Sequence, residues 1–293
     1  MDLRALLMGL TFALIWSSAF SSARVVVAYA PPISALALRF LISGLIGIGI
    51  AWALGQSARL NRAQWRAVVV FGICQNALYL GFYFVAMQWI EASLAAIIAS
   101  TMPLLVAVAG WLVFRDRLPL LGVAGLIAGM IGVMLIMGGR LQGGVDLTGL
   151  VFCILGVISL SVATLALRGA TSGGNLLMVV GLQMLVGSAA LWPVALWVED
   201  QTVIWHWHLG IAFAYTVFVP GLAATLIWFM LVGRIGAVRA ATYHFLNPFF
   251  GVAIAAMLLG ERLSVIDVLG VVIVAAGILA VQLSKQRPLH TTS

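Results

Sequence analysis

Gln75, Tyr79 and Tyr83 recur at four-residue intervals inside an apolar run, a spacing that predicts one amide and two phenols on a single helix face, with Asn76 beside them. Such groups donate and accept hydrogen bonds and stack against a solute, or else they bond to neighbouring helices. Trp16 stands with Ser17, Ser18, Ser21 and Ser22 in the first apolar run, where small residues serve either a polar wall or close helix packing. Ser100 precedes Pro103, and Tyr243, His244 and Asn247 precede Pro248. Each proline removes a backbone hydrogen bond near the middle of its run, which leaves carbonyls for a solute or a hinge, or makes a static kink. Trp228 lies 145 positions after Tyr83 and offers a second aromatic wall, unless it faces lipid. These residues bind and orient; none is equipped to break a bond.

The missing chemistry agrees. None of the eight Asp and Glu residues falls near the middle of an apolar run. No nucleophile is paired with a base, and neither an HExxH metal pair nor a phosphate-binding P-loop is present. We therefore expect no catalytic residues, no metal and no cofactor. Trp205, His206, Trp207 and His208 read as an aromatic belt at the membrane interface. Cys74 and Cys153 read as free thiols. Arg24 and Arg39 either snorkel to the interface or hold a carboxylate at the outer mouth. Asp116 and Glu261 are expected to cap the helices that follow them, and His244 either packs or carries a proton.

Composition says what must position these side chains. With 64% hydrophobic residues, 8% charged and a mean hydropathy of +1.18, the chain cannot be a soluble enzyme, a disordered protein or a nucleic-acid binder, despite its net charge of +7. Breaks at charge, Gly and Pro clusters predict ten apolar segments at 3–27, 33–54, 67–88, 92–114, 119–138, 147–167, 175–198, 209–232, 238–259 and 265–283. The first is expected to be a retained span, not a cleaved signal. Of the 15 Lys and Arg residues, only Arg24, Arg39, Arg140 and Arg262 fall on the side opposite the N-terminus, so both termini are expected in the cytoplasm of a bacterial inner-membrane protein.

Shifting the chain by 145 residues aligns it with itself. Ala92, Ala95, Ala96, Pro103, Arg117, Leu118, Val123, Gly125 and Gly132 fall on Ala237, Ala240, Ala241, Pro248, Arg262, Leu263, Val268, Gly270 and Gly277. Two repeats of five spans, 3–138 and 147–283, follow. Because five is odd, the second must enter the bilayer from the opposite side, so the expected fold is all-α, ten transmembrane helices as two inverted five-helix repeats around a central cavity. Gly122, Gly125, Gly129 and Gly132 predict close helix contact, within the fold or between the subunits of a homodimer.

Leu14, Ile15, Trp16, Ser17 and Ser18, then Leu38, Arg39 and Phe40, the two proline helices, and Leu259, Gly260, Glu261, Arg262 and Leu263 resemble the EamA family of the drug/metabolite transporter superfamily, with likeness to YddG-type amino-acid exporters. The resemblance covers nearly the whole chain, although Arg115 departs from the family turn where the second repeat has Gly260. It implies a ten-helix basket with spans 1, 3, 4, 6, 8 and 9 around the cavity and spans 5 and 10 behind. The expected activity is export of small metabolites, amino acids first, by alternating access and facilitated diffusion; other metabolites or cationic drugs by proton antiport are the alternative, with a channel or intramembrane enzyme more remote. The expected partners are a small-molecule substrate and the lipid bilayer, without nucleic acid.

Overall fold

The computed structural model describes residues 2–115, 119–142, 144–166, 175–235, 240 and 243–286, and every regular element among them is helical. Among the described residues nine helices are long and apolar enough to cross a bilayer: α1 (Leu3–Val27), α2 (Pro32–Ala53), α3 (Arg62–Ala86), α4 (Ala92–Val113), α5 (Leu120–Gly138), α6 (Leu147–Leu165), α7 (Leu176–Val198), α8 (Trp207–Ile235) and α10 (Val265–Ser284). Between α8 and α10 lies a shorter apolar helix, α9 (Tyr243–Leu259). The first part of the ninth expected span, like the Asp116–Arg117–Leu118 turn, Arg168, Ala237, Arg239, Ala241 and Arg287, is outside the described residues.

Helix starts follow local chemistry. Asn61 and Gln64 form a reciprocal capping box, so α3 begins at Arg62, five residues before the expected position. Pro32 and Pro31 open α2, where a missing amide costs nothing. Asp146 caps α6 through the Gly149 amide, and Ser264 and Asp267 cap α10 reciprocally.

Both proline helices are broken where the missing amide predicts. In α4 the helix Ala92–Ser100 ends at Thr101 and restarts at Met102 with Pro103 in its first turn. In α9 a single 3-10 turn, Tyr243–Leu246, precedes Asn247 and Pro248. Two more irregularities were not expected. Gly72–Tyr79 in α3 and Val217–Ala223 in α8 are π-helical, and their first residues are 145 positions apart. Pro220 within the second stretch lacks the amide that a regular α-turn would use. A π-turn rotates the helix face, so the four-residue spacing of Gln75, Tyr79 and Tyr83 is not one straight stripe.

The tightest helix pairs are α5 with α10 and α2 with α7. A Cβ on Gly125 would stand 2.7 Å from the Gly277 carbonyl, and one on Gly132 would stand 2.9 Å from the Gly270 carbonyl. Contact positions fall along one helix as they rise along the other, so the pair is antiparallel. The same holds for α2 and α7, where Ser188 bonds to Ala37 while Gly181 packs on Gly44 and Ile48. In a bilayer, lipid solvates apolar side chains as well as protein does, so close approach of glycine backbones is what holds such a pair. The α5 glycine face is thus occupied within the chain, by α10 and, at Gly129, by Leu104 of α4.

Candidate solute site

Residues singled out from the sequence fall into two groups joined by α1. Phe12, Trp16 and Phe20 stand four residues apart on that helix. Phe12 packs at 5.7 Å from Trp16, 4.8 Å from Trp228 and 5.4 Å, edge-on, from His244, while Trp228 lies 5.1 Å from His244. Asn247 donates to His244 Nδ1 at 2.9 Å, and its carbonyl accepts the Ser17 hydroxyl at 3.2 Å. Tyr243 covers Gly9 and packs with Trp228 around Leu231. Trp16, Trp228, Tyr243, His244 and Asn247 are therefore one neighbourhood, built by α1, α8 and α9.

The second group is the tyrosine pair. Tyr79 and Tyr83 lie 4.8 Å apart, each 1% exposed, packed through Phe20 to α1 and through Gly156 to α6. The Tyr83 hydroxyl is set beside the Cys153 thiol. Gln75 is half-buried, whereas its neighbour Asn76 is buried and donates to the Gln183 carbonyl at 3.0 Å, locking α3 to α7. Ser100 spends its hydroxyl on the Ala96 carbonyl at 2.6 Å. Ser18 and Tyr215 share a hydrogen bond at 2.6 Å, an α1–α8 link absent from the sequence reading. Phe12 was missed as well; its spacing from Trp16 is the signal that could have found it.

Three buried oxygens on these helices, Ser21 Oγ, Tyr83 Oη and Asn247 Oδ1, have no hydrogen-bond partner among the described residues. Buried polar atoms are normally paired, so these are groups a polar solute could satisfy.

At the end of the bundle opposite the N-terminus, a cavity of about 690 Å³ is lined by Arg24, Tyr29, Glu91, His208, Glu261 and Arg262, among others. The Arg24 guanidinium donates to the Met87 carbonyl at the end of α3. Glu261 departs from expectation. Its carboxylate accepts the Ala92 and Ser93 amides at 2.8 and 2.9 Å, capping α4 and not its own α10. A cap is set by what the turn faces in space, and this turn lies over another helix. Glu199 does the same for α2, accepting the Ile33 and Ser34 amides at 2.7 and 2.8 Å. His206 and His208 stack on Tyr29, and no group of three or more His, Cys, Asp and Glu among the described residues is arranged to hold a metal.

Arg39 corrects the interface reading outright. It is 6% exposed, about 10 Å along α2 from Pro32.

Apolar helices that enclose hydroxyls, amides and aromatic rings define a multi-pass membrane protein. The chain belongs to the EamA-like transporter family, whose pattern matches residues 3–138 and again 147–283. It is 25% identical to the uncharacterized transporter YvbV of Bacillus subtilis over 90% of this chain and 87% of that one. It is 34% identical to the aromatic amino acid exporter YddG of Ancylobacter novellus over 142 residues, 47% of this chain and 48% of the exporter. A solved structure, titled only as the crystal structure of a protein, superposes with a TM-score of 0.71 at 20% identity, over 98% of this chain and 100% of its own.

Proposed function

We propose that this protein exports small metabolites, amino acids foremost, across a bacterial inner membrane by alternating access between two inverted five-helix repeats, 3–138 and 147–283. The observation that carries the reading is reciprocal packing. Gly125 meets Gly277 and Gly132 meets Gly270, while the 145-residue shift carries Gly125 onto Gly270 and Gly132 onto Gly277. A pair i–j matched by its equivalent j–i is the mark of a two-fold relation. Equivalent helices that run antiparallel, α2 with α7 and α5 with α10, support an axis in the membrane plane. Two halves so related exchange conformations at similar energy, which yields an inward-open and an outward-open state.

Trp16, Gln75, Tyr79, Tyr83, Ser100, Trp228, Tyr243, His244 and Asn247 form the solute path, with Pro103 and Pro248 as its hinges. Aromatic and amide groups suit a neutral or zwitterionic solute better than a bare ion. The YddG relative supports amino acids as the first class to try. With no carboxylate at mid-span, facilitated diffusion is the simpler energetics.

Purified protein in vesicles should exchange labelled amino acids in counterflow without an imposed pH gradient. Trp16→Ala, Tyr79→Ala and His244→Ala, changed singly, should lose flux while still reaching the membrane. Unchanged flux in all three would remove the site, and strict dependence on a proton gradient would replace facilitated diffusion with antiport. A reporter fused after Ser293 should be active on the cytoplasmic side.

A further inference from the structure

Arg39 is a buried cation with no counter-ion among the described residues. Its Nε has no hydrogen-bond partner, and no carboxylate among the described residues pairs with it. Such a charge is strongly unfavourable in a membrane interior unless something neutralises it. Its surroundings are built, not incidental. Ser43, one turn further along α2, donates to the Val217 carbonyl at 3.4 Å, at the start of the α8 π-stretch. Gly221 lies within that stretch, and a Cβ there would stand 3.9 Å from Arg39 Nη2, 3.2 Å from Ser43 Oγ and 2.9 Å from the Thr216 carbonyl. Tyr79, which closes the π-stretch of α3, is within electrostatic range of the guanidinium. Arg39 thus sits beside the π-helical stretch of α8 and within electrostatic range of the residue that closes the one in α3, and such turns are frequent at functional sites. The repeat does not require it, since the equivalent position is Met184.

We propose that Arg39, with Ser43 beside it and Tyr79 within electrostatic range, is the binding point for the carboxylate of the transported solute. A planar guanidinium matches a carboxylate with two parallel hydrogen bonds, and the solute then supplies the charge that the protein lacks. This rests on the export reading above and adds what the solute must carry: a free carboxylate, not merely an aromatic or amphipathic body.

The experiment uses vesicles loaded with unlabelled L-phenylalanine and measures counterflow of the labelled compound. Competitors are 3-phenylpropionate and L-phenylalaninamide, tested with the wild type, Arg39→Lys and Arg39→Gln. The acid should compete better than the amide by about tenfold or more in the wild type, Arg39→Lys should keep part of that preference, and Arg39→Gln should lose it. Equal competition by acid and amide in the wild type, or a preference retained in Arg39→Gln, would overturn the assignment. Wild-type vesicles that move none of these compounds would count against amino-acid export instead. The Arg39 site is then decided by thermal melting of the detergent-solubilised wild type with propionate, benzoate and 3-phenylpropionate against their amides. Stabilisation by the acids alone supports it, and no acid-specific shift overturns it.

Discussion

Glu261, in the turn between α9 and α10, accepts the Ala92 amide at 2.8 Å, so a carboxylate from late in the chain caps a helix from early in it. Glu199 and Ser34 repeat the arrangement at α2. Both caps tie the first half of the sequence to the second at the end of the bundle opposite the N-terminus. They also mean that two carboxylates which look like loop charges are spent on helix termini.

Removing the Glu261 cap should destabilise the bundle. Glu261→Ala leaves the Ala92 and Ser93 amides unpaired and should lower stability by about 1 kcal/mol, with Glu261→Gln losing less because it keeps one acceptor. Thermal unfolding in detergent checks this. Glu261→Ala and Glu199→Ala should be nearly additive, because the two carboxylates cap different helices.

The glycine contacts make a sharper prediction. A Cβ at Gly277 would stand 2.5 Å from the Gly129 amide nitrogen, so Gly277→Leu should cost about 1–3 kcal/mol through overpacking. Gly49, around which a Cβ would meet nothing within 4 Å, is the control; Gly49→Ala should be neutral or slightly stabilising. Equal melting of the two variants would contradict the α5–α10 packing.

Acid should release the N-terminus. Asp2 caps α1 through Ala5 and pairs with Arg234 Nε at 2.5 Å; the hydrogen bond from Arg234 holds its carboxyl below the ordinary value of 3.8. A depressed carboxyl contributes stability above its unfolded value and loses it as pH falls through the lower folded one. Hydrogen exchange in the first turn of α1 should therefore be faster in Asp2→Asn than in the wild type at neutral pH, and the two should converge below pH 3.8. High salt should narrow the neutral-pH difference, because the pair is exposed.

The aromatic neighbourhood should matter to flux. Trp228→Ala removes a ring that touches both Phe12 and His244 and should reduce counterflow by about tenfold, a loss near 1.4 kcal/mol of aromatic contact. Trp228→Phe should restore most of it. Full flux in Trp228→Ala would place that ring outside the route.

Composition, periodicity and repetition determined much by themselves. The apolar runs gave nine spanning helices and one shorter apolar helix among the described residues, because a bilayer leaves a spanning backbone few other ways to satisfy its hydrogen bonds. The prolines marked the breaks in α4 and α9, since the missing amide acts locally. The α5 glycines predicted close packing, though not whose helix would fill them. Tertiary structure decided what depends on facing partners: α10 against α5, Glu261 on α4, Asn76 on α7, and Arg39, without a counter-ion among the described residues, beside the π-stretch of α8. Charge alone left Arg39 either reaching water or holding a carboxylate. Whether a long cation reaches water depends on which helices surround it, and that is fixed by three-dimensional packing, not by distance along its own chain.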